Sequence, residues 1–275
     1  MSIRTEISED LAHQAQQGEI ILSRTGREIA AIELQEVTRA YHNARKNMLG
    51  YDLPAAYGIA VWGSARIKPT SRHGRSVTGF VESFIEKNPH KPIRIVTGGG
   101  PGLMEAANYG VHRAREKTRT NGSGTQLIVV NYGVPVNGLP TQEKPNRFID
   151  NKNGEEEHPE FSTRKQRMQD LINGAYIVMG GWGTLYEAFM TLQNEQTGHT
   201  KGNLIVANVF WKDTLDKLND LLYHERVRGK YTPLISEKDL GLVQFVKRPE
   251  EAVEIFSAGL NNWWETTGKA VRWVE

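Results

Sequence analysis

Two glycine-rich segments of the sequence have the composition of anion-binding turns, and each follows a short apolar run. We call Thr97–Gly102 (TGGGPG) the first glycine turn and Gly180–Thr184 (GGWGT) the second glycine turn. A turn of this kind between a strand and a helix exposes backbone amides at the helix N-terminus, where the helix dipole also favours negative charge. Glycine also lets a ligand approach the backbone closely. The pattern indicates a phosphate site, although glycines that only close a tight turn produce the same pattern.

Neither turn has the spacing of the common nucleotide-binding loops. Gly98, Gly99, Gly100 and Gly102 do not form G-x-G-x-x-G, so binding of NAD or FAD is disfavoured. The sequence also contains no G-x-x-x-x-G-K-[ST], the loop that binds nucleoside triphosphates together with Mg²⁺. The two turns therefore favour a monophosphate as the ligand.

Charged side chains that suit catalysis lie close to these turns in the sequence. Glu187 follows Gly183 by about one helical turn, which predicts a carboxylate in the first turn of a helix, facing the loop. Arg164 and Lys165 lie in a helical segment before the run that ends in the second glycine turn. The arginine fork suits oxyanions, but most helical arginines are solvated or paired with an acid. An acid in a first helical turn can likewise serve the helix dipole alone.

Six short apolar runs, most of them ending in glycine, are typical of buried strands. They occupy residues 57–63, 93–100, 126–133, 175–181, 203–210 and 241–246. The runs are rich in β-branched residues and lack polar alternation, as expected when helices cover both faces of a sheet. The sequence therefore predicts a doubly wound, Rossmann-like α/β fold with a mostly parallel sheet. In such a fold the ligand lies beyond the carboxyl ends of the strands, where the glycines fall.

The same patterns divide the chain into regions. Residues 1–50 are predicted to form an N-terminal helical extension, residues 51–260 the nucleotide-binding domain, and residues 261–275 a C-terminal tail. Four prolines interrupt residues 131–163, which predicts a long, mobile loop inserted before a helix. Such a loop is either a lid over a binding site or a surface decoration.

Composition narrows the classes of function further. The 34 Lys and Arg residues nearly balance the 32 Asp and Glu residues, so the charge gives no support for a nucleic-acid or membrane partner. The chain has no cysteine, which excludes thiolate chemistry and is consistent with a cytoplasmic protein. Its eight histidines form no H-E-x-x-H motif, so we expect no metal site. We also expect no export signal and no membrane span.

The order of these motifs resembles that of the Lonely Guy (LOG) family of phosphoribohydrolases and its bacterial nucleotide nucleosidase relatives. The similarity extends from about Tyr57 to about Leu222 and includes GSAR, TGGGPGLMEAAN, the Arg164–Lys165 pair and GGWGTLYE. The resemblance implies hydrolysis of the N-glycosidic bond of a nucleoside 5′-monophosphate, such as a cytokinin riboside monophosphate or AMP. The products would be a free base and ribose 5-phosphate. The resemblance also implies that no cofactor is needed and that the protein is a homodimer or a higher homo-oligomer.

The resemblance assigns roles to individual residues. Arg164 and Glu187 match the catalytic pair of the family, and the second glycine turn matches its 5′-phosphate site. The other positions expected to contact the substrate are Ser64, Gly99, Gly100, Glu105, Lys165, Met168, Gly180, Gly181, Gly183 and Thr184. A carboxylate near the ribose can stabilise an oxocarbenium-like transition state and orient water, so this chemistry requires no metal.

Two departures and two alternatives keep the interpretation open. Met179 stands where the family motif has proline, and the segments 1–50 and 131–163 exceed a minimal family member, so the resemblance implies no particular base. A carrier of a nucleotide or phosphate-bearing cofactor has a precedent in the molybdenum-cofactor-carrier relatives of the family, because a fold does not fix a function. A regulatory or DNA-processing protein is the other alternative, and the near-neutral charge gives it no support.

Overall fold

A six-stranded sheet forms the centre of the described structure. The computed structural model describes residues 56–121, 127–134, 144–151, 161–200 and 202–266. The chain divides into two compact units, Met1–Pro54 and Ala55–Glu275, and all described residues belong to the second unit. The predicted N-terminal helical extension therefore lies outside the described residues.

The strands confirm the predicted α/β class. Their bounds are β1 Tyr57–Trp62, β2 Ile93–Thr97, β3 Val129–Gly133, β4 Gly174–Ile177, β5 Leu204–Asn208 and β6 Val243–Val246. The sheet order is β3-β2-β1-β4-β5-β6, and every pair of neighbours is parallel. Each strand lies within its predicted apolar run, except that β4 begins one residue before it.

Helices connect the strands and cover the sheet. Their bounds are α1 Arg72–Lys87, α2 Leu103–Thr120, α3 Phe161–Asp170, α4 Trp182–Gln196, α5 Lys212–Asn219, α6 Glu225–Arg228 and α7 Pro249–Thr266. A π-helical turn, Asp220–His224, joins α5 to α6, and 3₁₀ turns occupy Val209–Trp211 and Glu237–Gly241. The sequence analysis predicts a C-terminal tail from residue 261 onward. The last helix, α7, continues to Thr266, so residues 261–266 belong to this helix and not to a tail.

Apolar side chains on both faces hold the sheet in place. On one face, α1 packs against α2 and α7, and the buried Phe80 ring lies 4.7 Å from Tyr176 and 5.8 Å from Phe256 between ring centroids. On the opposite face, the Trp62 indole of β1 donates a hydrogen bond of 3.4 Å to Thr191 Oγ1 of α4. Burial on both faces explains why the strands lack polar alternation. The sheet is therefore a fixed base for the loops at its carboxyl edge.

The strand order reverses between β1 and β4, and this reversal locates a crevice. The chain proceeds from β1 outward through β2 to β3, and then returns to place β4 on the other side of β1. In doubly wound folds, ligands bind beyond the carboxyl ends of the strands at such a reversal of strand order. Two residues separate Gly180 from the end of β4 at Ile177.

The connection between β3 and α3 falls within the segment predicted as a long, mobile loop. Strand β3 ends at Gly133 and α3 begins at Phe161, so the connection loses residues at both ends of the predicted 131–163 range. Within it, residues 144–151, which we call the strap, form hydrogen bonds with β3 and the first glycine turn. These bonds attach the strap to the sheet, and the mobility of the rest of the predicted loop stays a prediction. Among the helices of the described residues, none has the length and hydropathy that crossing a membrane requires.

Candidate active site at the carboxyl edge of the sheet

The first glycine turn carries β2 into α2 through a backbone that only glycine adopts easily. Gly99 and Gly102 have φ angles of +73° and +75°, and Gly102 is the N-cap of α2. A Cβ atom on Gly102 would lie only 2.4 Å from the carbonyl oxygen of Ser64. These two glycines are therefore explained by the fold itself.

The second glycine turn carries β4 into α4 and has a different explanation. The helix begins at Trp182 with Gly181 as its N-cap, at a φ of −113°. A Cβ atom on Gly181 or Gly183 would meet nothing within 4 Å, whereas one on Gly180 would lie 2.0 Å from the Thr184 hydroxyl. The fold thus requires glycine at position 180 but not at 181 or 183. At positions 181 and 183, close approach of a ligand to the backbone would explain the glycines.

The loop after β1 joins the two glycine turns. The Ser64 amide donates to the Met179 carbonyl at 3.0 Å, and the Ser64 carbonyl accepts from the Leu103 amide at 2.9 Å. The Ser64 hydroxyl accepts from the Arg66 amide at 3.0 Å. One residue of the β1 loop is therefore bonded both to the residue before the second turn and to the start of α2. This arrangement brings the N-termini of α2 and α4 to the same crevice.

Arg164 is held at this edge by two backbone carbonyls. Its side chain is buried, with 8% of the residue exposed, and its Nε donates to the Val134 carbonyl at 2.6 Å. Its Nη2 donates to the Gly98 carbonyl at 3.4 Å, and a Cβ atom on Gly98 would lie 2.5 Å from the same nitrogen. A buried guanidinium bonded in this way has a fixed position. The predicted arginine therefore lies directly against the first glycine turn.

Lys165 and Glu187 bring opposite charges to the same place. The Lys165 ammonium lies over the ring of Tyr186, the neighbour of Glu187 in α4. Burial lowers the pKa of Lys165, the Glu187 carboxylate partly offsets that effect, and the Arg164 guanidinium adds to it. Because α4 begins at Trp182, Glu187 lies in the second turn of the helix and not in the predicted first turn. The structure therefore brings three of the predicted charged residues together.

A buried set of polar side chains supports the helix turn that carries Glu187. The Thr191 hydroxyl donates to the Glu187 carbonyl at 2.8 Å. It also accepts a hydrogen bond of 2.8 Å from Gln169 Nε2 of α3. These bonds connect α3 to α4 behind the charged residues. The sequence analysis did not identify Gln169 or Thr191, although polar residues among apolar neighbours of a packed helix indicate such bonding.

The remaining predicted residues differ in exposure. Gly99, Gly100 and Thr184 are buried, while Ser64 and Glu105, in the first turn of α2, are partly buried. Met168 is only 1% exposed and belongs to the interior beneath α3, so contact between its side chain and a substrate stays a prediction. No group of three His, Asp or Glu residues in the described ranges has the arrangement of a metal site.

Comparison with known proteins identifies the family of the chain. The family model described as "Possible lysine decarboxylase" matches residues 104–256, which include Arg164, Lys165 and α4. A search of curated proteins found no match. The chain is similar to the X-ray structure of TM1055, a structural genomics target, with a TM-score of 0.46, 17% sequence identity, and coverage of 74% of this chain and 99% of that chain. The family model matches more than half of the chain, which therefore belongs to the possible lysine decarboxylase family, also called the LOG family.

Proposed function

We propose that the protein hydrolyses the N-glycosidic bond of a nucleoside 5′-monophosphate to a free base and ribose 5-phosphate. The observation that carries the proposal is the meeting of Arg164, Lys165 and Glu187 beside two glycine turns at the crevice next to β1. A nucleoside monophosphate offers a phosphate for a helix N-terminus and a glycosidic bond within one ribose of it. The carboxyl edge of the sheet offers a helix N-terminus for the phosphate and charged side chains for the glycosidic bond, which supports the proposal.

In the proposed reaction, water adds to C1′ of the ribose while the bond from C1′ to the base nitrogen breaks. The electron pair of that bond and one proton leave with the base, so the reaction needs only water. Positive charge develops on the ribose ring, and the Glu187 carboxylate stabilises it and orients the attacking water. The fixed Arg164 guanidinium stabilises the negative charge that develops on the departing base.

The experiment that tests the proposal measures products from a panel of nucleotides. Purified full-length protein is incubated with AMP, GMP, CMP, UMP and a cytokinin riboside monophosphate, and free base and ribose 5-phosphate are quantified by chromatography. Adenosine and ATP serve as controls for the monophosphate requirement, and L-lysine tests the reaction in the family description. Release of base from at least one monophosphate is expected. Tight binding without release would favour the carrier alternative, and release of carbon dioxide from lysine would contradict the proposal.

The 5′-phosphate is proposed to bind the amides of the second glycine turn, which Gly183→Ala tests. Because a methyl group at this position meets no protein atom, the melting temperature should remain within about 2 °C of the wild-type value. The same methyl group would lie where the ligand approaches, so the affinity for AMP should fall at least about tenfold. Calorimetry measures both quantities.

Gly79→Ala is the matched control, since a Cβ atom at this position in α1 also meets nothing within 4 Å. It should leave the affinity for AMP unchanged, and it should raise the melting temperature slightly, because alanine is more favourable than glycine in the interior of a helix. If Gly183→Ala binds AMP as tightly as Gly79→Ala does, the phosphate does not lie at the second glycine turn.

An exposed aromatic stripe on α4 supports the proposal of a homodimer. Trp182, Tyr186 and Phe189 lie at positions i, i+4 and i+7 of the helix, and they are 87%, 51% and 41% exposed. Three large aromatic residues on one exposed helix face are typical of an interaction surface. A second copy of the chain offers the same stripe, so the two surfaces can pack about a twofold axis.

Light scattering at micromolar concentration should give about twice the chain mass of 30.9 kDa. Phe189→Asp should shift this mass toward that of one chain, because it introduces a charge into the stripe. Val227→Asp, at an apolar residue that is 49% exposed on α6, should leave the mass unchanged. A wild-type protein that has the mass of one chain would exclude the dimer under these conditions.

A further inference from the structure

A hydrogen-bonded network of four buried polar side chains, three of them asparagine amides, lies behind the first glycine turn. The Thr97 hydroxyl donates to Asn108 Oδ1 at 2.9 Å, and Asn108 Nδ2 donates to Asn131 Oδ1 at 2.6 Å. Asn146 of the strap joins this network by donating from Nδ2 to Asn108 Oδ1 at 2.9 Å. The four side chains come from β2, α2, β3 and the strap, and all are buried. Such satisfied networks hold their members in one arrangement.

Asn146 also bonds directly to the backbone of the first glycine turn. Its backbone N–H donates to the Gly99 carbonyl at 2.8 Å, and its side-chain Nδ2 lies 3.0 Å from the carbonyl oxygens of both Gly99 and Gly100. One residue from a distant segment therefore contacts two successive carbonyl groups, the Gly99 carbonyl through its backbone and its side chain and the Gly100 carbonyl through its side chain. Glycines have no side chains with which to fix these groups themselves.

Fixing a carbonyl also fixes the amide of the same peptide group. In a planar trans peptide, the C=O of one residue and the N–H of the next point in opposite directions. The Gly98 carbonyl faces Arg164, and the Gly99 N–H accordingly donates to the Thr97 hydroxyl at 3.0 Å. The Gly99 carbonyl faces Asn146, so the Gly100 N–H points away from Asn146. The next residue is Pro101, which has no N–H.

We infer that Asn146 is a positioning residue that aims the Gly100 amide at the ribose 5-phosphate portion of the bound nucleotide. The inference rests on the proposed function and adds a binding group to it. Without the Asn146 side chain, the Gly100 carbonyl loses the Asn146 donor, while the Gly99 carbonyl keeps the bond from the backbone N–H of residue 146. The turn is then held less firmly, because its glycines have access to more backbone conformations than other residues. The amide would then have to be ordered when the nucleotide binds, which weakens binding.

The strap has further attachments that do not involve Asn146. Arg115 binds both carboxylate oxygens of Asp150 at 2.7 Å. Asn151 Oδ1 accepts from the Gly133 amide at 2.9 Å, and its Nδ2 donates to the Gly133 carbonyl at 2.6 Å. Removing the Asn146 side chain therefore leaves the strap anchored to α2 and β3. Asn151→Ala is a matched control, since it removes strap hydrogen bonds that do not reach the glycine turn.

The test compares Asn146→Ala with Asn151→Ala in the full-length protein. For Asn146→Ala we expect KM and the dissociation constant for AMP to rise at least about tenfold, while kcat remains within about threefold. For Asn151→Ala all three quantities should remain within about threefold. A purely structural role would lower the fraction of active protein, and so lower the apparent kcat without raising KM. Calorimetry with AMP and initial-rate measurements supply these values.

The outcomes separate this inference from the proposed function. If Asn146→Ala shows the same KM and dissociation constant as Asn151→Ala, the positioning role is wrong whether or not the wild type hydrolyses AMP. If the wild type binds AMP without hydrolysis and only Asn146→Ala weakens binding, the positioning role stands and the hydrolytic function is wrong. If the wild type binds none of the monophosphates at millimolar concentration, both are wrong.

Discussion

Glu187→Gln is expected to lower kcat for the nucleoside monophosphate by about 10²-fold or more, while KM stays within about threefold. The substitution keeps the size of the side chain and its capacity for hydrogen bonds. It removes only the negative charge, which interacts more strongly with the transition state than with the neutral ribose of the substrate. Initial rates at saturating AMP measure kcat, and calorimetry measures affinity.

Glu116→Gln provides the comparison for this variant. Glu116 is an exposed acid on α2 that pairs with Arg119 at 3.0 Å, and its loss should not change kcat. If Glu187→Gln hydrolyses AMP as fast as Glu116→Gln, the assigned mechanism is wrong. If the wild type and both variants bind AMP tightly and none hydrolyses a monophosphate, the carrier alternative replaces hydrolysis.

Arg164→Lys is expected to lower kcat/KM by about 10²-fold. Lysine keeps the charge but has a single nitrogen, which cannot reproduce the paired donors that Arg164 directs to Val134 and Gly98. The first glycine turn loses the hydrogen bond from Arg164 to the Gly98 carbonyl. The positive charge at position 164 is then no longer held in one place near the base. Rates at low AMP concentration measure kcat/KM, and thermal unfolding shows whether the variant is folded.

The control for Arg164→Lys is Arg113→Lys, at a half-exposed arginine of α2 that pairs with Glu82 at 3.1 Å. A surface ion pair of this kind contributes little, so kcat/KM should stay within about twofold of the wild type. Equal kcat/KM for the two folded variants would remove Arg164 from the catalytic machinery.

The sequence was sufficient to predict the sheet and the placement of both glycine turns. Buried parallel strands are apolar throughout, so β1 and β5 were recognisable without knowledge of their neighbours. The position of Glu187 was predicted less well, because the helix start depends on whether Trp182 adopts helical dihedral angles. Glycine-rich turns permit several starting points, and helix ends are the least certain part of any prediction.

The strap could not be predicted, because its attachment depends on pairs of residues distant in the sequence. Asn146 lies among prolines and charged residues that are typical of a surface loop. Asn108 and Asn131 gave the stronger signal, since each is a polar residue within an otherwise apolar helix face or strand. A buried amide needs a partner, so these two residues predict a contact with each other but not with residue 146.

The central position of β1 has a consequence for how the protein is made on the ribosome. β1 pairs with β4 through Ile59 and Gly174, which are separated by more than 100 residues. During synthesis, β1, β2 and β3 emerge first, and one edge of β1 stays uncovered until β4 is released. An uncovered apolar strand edge can pair with other chains, and contacts between distant residues form slowly. The crevice beside β1 is thus completed late in synthesis, and the nascent chain is most prone to aggregate before β4 has emerged.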